Sequence, residues 1–218
     1  LTIIQQLHAE VWAFRREMEH YFPTPSPEDS LAFAFTEAGE AVKASKNYPE
    51  ELDAAVIFAS LAVDATLRQN PLYKRNNNKD HTVERELAQC AMMLLTAVPQ
   101  DWEGWEYHTR KWNNFTLSKL SVAVSVIYND TPDFSLYEIR DVVQAISQLI
   151  DLPTHLRSEL DRMRIKHWPA RDTGPASLNE VVNEHFIYTD RMERLVLPNP
   201  KDNPANYTAN DAGEWVLV

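Results

Sequence analysis

Two glutamates one helical turn apart, Glu37 and Glu40, are the residues of this sequence best placed to do chemistry. At about 100° per residue, Leu31, Phe35, Ala38 and Val42 form one apolar stripe, and Thr36, Lys43 and Lys46 mark the solvated side. Glu37 falls with neither: it shares an arc with Phe33, Ala34, Ala41 and Ala44, and Glu40 lies at the edge of that arc. Two unpaired carboxylates on a small-residue surface cost several kcal/mol each unless something neutralises them. A divalent cation is the natural compensator, Mg2+ or alternatively Mn2+, because it takes oxygen ligands and keeps waters for phosphate contact. The competing reading is an ordinary exposed pair, bridged to Lys43 or to a basic residue of another helix.

A cation held in this way wants carboxylates from a neighbouring helix. Glu50 and Asp53 repeat the same spacing at the start of the next helical segment. A hairpin turn at Asn47–Pro49 makes the two helices antiparallel and brings the two acidic pairs to similar heights. Glu50 also has a simpler explanation, since acids in a first turn complement the helix dipole. Asp53 is harder to dismiss because it opens the run Ala54-Ala55-Val56-Ile57-Phe58.

Phe35-Thr36-Glu37-Ala38-Gly39-Glu40-Ala41, followed by Glu50-x-x-Asp53, resembles the motif of the all-α NTP pyrophosphohydrolases, the MazG-like superfamily. Trp12 and the run Arg162-Met-Arg-Ile-Lys-His-Trp-Pro are also reminiscent of it. The resemblance spans about residues 3–97. It implies a four-helix core and Mg2+-dependent hydrolysis of a nucleoside triphosphate to monophosphate and pyrophosphate. It further implies a homo-oligomer, dimer or tetramer. On this reading Glu37, Glu40 and Asp53 are metal ligands, Glu50 a ligand or base, and Glu37 a second catalytic carboxylate. Trp12 joins the substrate contacts.

Two departures qualify the match. The step from Glu40 to Glu50 is shorter than the family's. In its apolar pattern Glu86-Leu-Ala-Gln89-Cys90-Ala fits the family's second acidic helix better, although Gln89 replaces the aspartate. Glu50 with Asp53 therefore ranks first as the second acidic pair, Glu86 second, and Glu138 with Asp141 third. Phosphate contact falls to Lys74, Arg75 and Asn77, in a segment rich in charge and amide donors before a helix N-terminus; the alternative is a solvated loop. His8, His20 and His81 show no metal-ligand spacing and read as structural. Trp102, Trp105 and Trp112 read as filling for the bundle end or an oligomer contact.

Helical periodicity supplies the scaffold for these residues. Ile3, Leu7, Val11, Phe14 and Met18 predict a first amphipathic helix, ended by Pro23 and Pro25. Ser26 as N-cap and Pro27 at the first helical position start the second, which runs to about Lys46. Further helices are expected over about 50–68, 82–97, 116–128, 135–150 and 153–167, with Ser135 and Glu138 spaced as a capping box. The fold class is all-α, a bundle of six to seven helices over residues 1–168. An irregular, β-prone arm over 169–218 has strand-like runs at 185–189, 194–197 and 214–218, and is expected to pack on the bundle or on a partner subunit.

Composition narrows the function classes. The 218 residues carry 21 basic and 32 acidic side chains, a net charge of −11 that disfavours a nucleic-acid polymer or an anionic membrane as partner. Cys90 is the single cysteine, which excludes disulfide scaffolds and cysteine-based zinc sites. The 4 glycines are too scattered for a phosphate-binding loop. No apolar run reaches the roughly 18 residues of a membrane span. The first residues lack the pattern of a signal peptide, so a cytoplasmic protein is expected, and the missing initiator Met suggests a trimmed chain. Beside the hydrolase stands a second reading: a catalytically degenerate relative that acts as an oligomeric binding module.

Overall fold

In a computed structural model the chain is described over residues 2–19, 24–45, 51–67, 81–106, 116–131, 133–165, 207–209 and 215–217. The side chains of 51–54, 106, 165 and the two strands are outside that description. The described residues form seven α-helices: α1 (Ile3–Met18), α2 (Pro27–Ala44), α3 (Glu51–Leu67), α4 (Val83–Ala97), α5 (Leu117–Asn129), α6 (Leu136–Leu149) and α7 (Leu152–Ile165). A 3-10 turn, Gly104–Glu106, lies between α4 and α5. Up to residue 165 the described secondary structure is all helical, as the periodicity predicts.

Short polar caps set several helix starts. The Thr2 hydroxyl accepts the Gln5 amide at 3.2 Å, Ser26 that of Asp29 at 3.1 Å, and Thr82 and Thr116 those of Arg85 and Lys119 at 3.3 Å each. Each satisfies one amide that has no partner within its helix. Ser135 is different. Its side chain makes no cap bond; its carbonyl instead accepts the Glu138 and Ile139 amides at 3.0 and 3.2 Å. The expected capping box does not form, because the backbone closes the turn without the hydroxyl.

α2 and α4 form the centre of the bundle. α2 packs on α3, α4 and α5, while α4 also meets α1, α6 and α7. Every α4 residue from Glu86 to Ala97 is buried. Leu31, Leu87, Leu94, Leu120, Ile146 and Leu156 have no exposed surface and join the helices into one core. The encirclement of α2 overturns the expectation that Thr36 and Lys43 mark a solvated side. Thr36 is buried, its hydroxyl donating to the Phe33 carbonyl at 2.8 Å, and Lys43 is half-buried.

α2 and α3 pack unusually closely. A Cβ on Gly39 would run into the Ser60 side chain, so only glycine fits there. Val42 meets Ile57 and Leu61. The turn assigned to 47–49 lies outside the described residues.

Of the arm, two short strands are described: β1 (Tyr207–Ala209) pairs antiparallel with β2 (Trp215–Leu217), Thr208 opposite Val216. β2 falls within the predicted run 214–218; β1 was not predicted. The runs 185–189 and 194–197 lie outside the described residues.

Candidate metal centre

Three side chains from two parts of the chain converge beside α2. Glu40 comes from α2 and Glu86 from the first turns of α4, and His81 immediately precedes the α4 N-cap. His81 Nδ1 lies 3.1 Å from Glu40 Oε2 and 2.8 Å from Glu86 Oε1. One ligand atom from each of the three falls within 4.8 Å of the others. Among the described residues this is the group of carboxylate, imidazole or thiol side chains arranged to hold a metal ion.

Burial is graded across the site. The side chains of His81 and Glu40 keep 29% and 21% of their exposure, against 2% for Glu86. The site therefore opens to solvent on the His81–Glu40 side and closes on α4. Glu86 Oε2 is buried and has no hydrogen-bond partner. An orphaned carboxylate oxygen in the interior is costly, and it is a donor atom waiting for a cation or a proton.

Charge in the site is dense. Burial pushes the Glu86 carboxyl above the usual carboxylate range; its hydrogen bond to His81 opposes that, and the charge of Glu40 adds to it. Glu37 is within hydrogen-bonding reach of Glu86, and its charge also bears on Cys90 one turn further along α4. The Cys90 thiol is fully buried, which pushes its pKa up and leaves it inert. Lys43 feels Glu40, Asp64 and Glu86, yet burial outweighs their attraction and lowers its pKa. Asp64, a buried residue of α3, thus adds a fourth carboxylate to the neighbourhood. Hydrogen bonds to Glu40 and Glu86 raise His81 to about 10 despite partial burial, so without metal its ring is an imidazolium at neutral pH.

The residues named from sequence fare differently. Glu37, Glu40 and Glu86 come together. Glu50 lies outside the described residues, and Asp53 is described only as backbone in the first turn of α3. Lys74, Arg75 and Asn77 also lie outside them. Trp12 is half-buried elsewhere. Its indole N–H sits 3.0 Å from the Val98 carbonyl and from His8 Nε2, where both side chains close the C-terminal end of α4. Glu138 and Asp141 lie on α6, where Asp141 is bound to Arg140 at 2.8 Å. Gln89 is buried in α4.

From sequence alone His81 reads as structural, and Asp64 is not singled out. His81 has no partner at metal-ligand spacing, since Glu40 is far away in the chain. One signal was available: with Thr82 as N-cap, His81 and Glu86 occupy the N′ and N4 positions, which meet across the first turn of a helix. An acid–histidine pair there is a polar version of the usual apolar staple.

The donor chemistry fits a divalent cation. Glu37, Glu40, Asp64 and Glu86 can supply four negative charges, and Lys43 with the His81 imidazolium supplies two positive ones. Once His81 gives up its proton to bind as a neutral imidazole, Lys43 alone opposes the four carboxylates, and a divalent ion would offset most of the remaining negative charge. No helix among the described residues is long and apolar enough to cross a membrane. Compared with protein families, curated proteins and solved structures, the chain shows no match.

Proposed function

We propose that this chain is a divalent-metal-dependent hydrolase of nucleoside triphosphates, releasing a monophosphate and pyrophosphate. The observation that carries the reading is the convergence of Glu40, His81 and Glu86 around the unpartnered Oε2 of Glu86. The Glu-x-x-Glu of α2 and the Glu86-Leu-Ala helix, the pair whose pattern resembles the MazG-like motif, share the most extensive helix–helix contact among the described residues. Glu37, Glu40, Glu86 and the imidazole of His81 would hold the ion. Carboxylates suit Mg2+ or Mn2+, and a nitrogen donor favours Mn2+. Such an ion would offset the negative charge of substrate and site and stabilise charge at the reacting phosphorus.

The chain's own groups then have defined tasks. Glu37, half-exposed at the edge of the cluster, takes the proton of the attacking water. Glu86, buried and raised in pKa, anchors the site on α4. Lys43 offsets the excess negative charge beside Glu40. Glu50, Asp53, Lys74, Arg75 and Asn77 complete the assignment as further acidic and phosphate-contacting residues. A homo-oligomer is part of the same reading.

One observation favours a second reading. The His81 imidazolium already bridges Glu40 and Glu86, and Gln89 stands where the motif has an acid. A site neutralised by its own histidine is that of a degenerate, non-catalytic binding module. Incubating the protein with a panel of nucleoside triphosphates and Mg2+ or Mn2+, scored for pyrophosphate, separates the two. Release that disappears in Glu37→Gln supports the hydrolase; no release with any triphosphate or metal supports the binding module.

A further inference from the structure

A second buried ion has no counter-charge among the described residues. Arg15, near the end of α1, is 4% exposed. Its Nε donates to Thr96 Oγ1 at 3.1 Å and its Nη2 to Met93 Sδ at 3.0 Å, both on α4. Neither is charged, and a thioether is a weak acceptor. Thr96 passes its own proton to the Met92 carbonyl at 2.8 Å, which leaves its lone pairs facing the guanidinium. Of the five N–H donors of an arginine, two are used here and Nη1 donates to no described residue.

The other buried arginine shows what a paired guanidinium looks like in this fold. Arg140, also 4% exposed, binds Asp141 at 2.8 Å and the Gly104 carbonyl at 3.1 Å. Arg164 flanks the same Phe14 ring as Arg15, their guanidinium carbons 5.6 and 5.9 Å from its centre, but it is bound to Glu17 and Asp161. No described carboxylate meets Arg15. Burial alone lowers its pKa to about 10, with no charged group opposing the shift. A buried cation without an anion is costly, and two neutral hydrogen bonds offset little of that.

We propose that Arg15 is the receiving group of an oxyanion site at the α1–α4 seam, and that its ligand is a phosphate group. Thr96 and Met93 hold the guanidinium edge-on, and its remaining N–H groups form the planar fork that matches a phosphate. The residues involved lie on the strip of α4 that begins at Glu86, Met93 being about 10 Å along the helix from it. The assignment does not depend on the metal reading.

The test uses the full chain in EDTA, with inorganic phosphate titrated against chloride at matched ionic strength. Melting temperature and binding heat are followed. A saturable rise in melting temperature with one phosphate bound per chain is expected for the unchanged protein. Arg15→Met should melt cooperatively but show no phosphate-dependent rise. Arg15→Lys, which keeps the charge and loses the fork, should bind phosphate at least tenfold more weakly, and it decides the matter if Arg15→Met does not fold. Absence of a saturable phosphate effect in the unchanged protein overturns the proposal. So does an equal effect in Arg15→Met, or in Arg15→Lys should the former not fold. Because no metal is present, either outcome leaves the Glu40–His81–Glu86 reading to be judged separately.

Discussion

His81 Nδ1 and Glu86 Oε1 face each other at 2.8 Å across the first turn of α4, and the same nitrogen reaches back 3.1 Å to Glu40 of α2. One imidazole thus ties the start of one central helix to the middle of the other. The tie is charged, so it depends on pH. Its folded pKa, about 10, is above the ordinary 6.5. The stabilisation is therefore complete below pH 6.5, declines above it, and is gone once pH passes about 10. In EDTA the melting temperature should fall across that window, and His81→Gln should flatten the fall. Equal pH profiles for the two proteins would refute the tie.

Glu37→Gln should leave the metal-free fold intact and raise its stability slightly, by up to about 1 kcal/mol. The substitution keeps the side chain's shape and puts an amide that can donate to Glu86 where a carboxyl lies within hydrogen-bonding reach of it. The same change should abolish metal-dependent activity. Chemical denaturation in EDTA checks the first statement, and pyrophosphate release checks the second. A loss of stability above about 1 kcal/mol would mean that Glu37 is a structural acceptor and not a strained ligand.

Gly39→Ala should destabilise the protein by about 1–3 kcal/mol, the usual cost of overpacking a close contact. The added methyl meets the Ser60 side chain, so Ser60→Gly in the same chain should recover much of the loss. A double-mutant cycle measures this. Additive effects would show that α2 and α3 do not depend on that contact.

Much of this was legible along the chain, and the failures have physical causes. α1 occupies the span its apolar repeat marks, and Ser26-Pro27 starts α2 where capping rules place it. Thr36 and Lys43 were misassigned because a helical projection sees one apolar stripe, whereas α2 has neighbours on three sides. Glu37 and Glu40 stood out because small residues surround them. Proximity in the chain points first to Glu50 and Asp53, whose side chains lie outside the described residues; the apolar pattern points to Glu86, and the packing of α2 on α4 brings it beside Glu40. His81 was invisible because half of its environment lies on a distant helix. Arg15 gave no signal at all, since a basic residue near a helix C-terminus is unremarkable in sequence.

Removing the chain after Arg171 should lower solubility or change the mass in solution. A two-stranded pairing such as Tyr207–Ala209 with Trp215–Leu217 is marginal alone in water, so it needs apolar support from elsewhere. Light scattering and thermal melting of the truncated chain report this directly. Unchanged mass, solubility and melting temperature would make the arm a passive appendage.

Calorimetric titration of Mn2+ into the metal-free protein tests the central claim most directly. Binding of one ion should be seen, with protons released as His81 gives up its Nδ1 proton, and with affinity rising as pH increases toward 10. Glu86→Gln, which removes the buried unpartnered oxygen's charge, should weaken binding at least tenfold while the protein stays folded. No Mn2+ heat in the unchanged protein at any pH up to 10, or unaltered binding in Glu86→Gln, would contradict a metal centre at Glu40, His81 and Glu86.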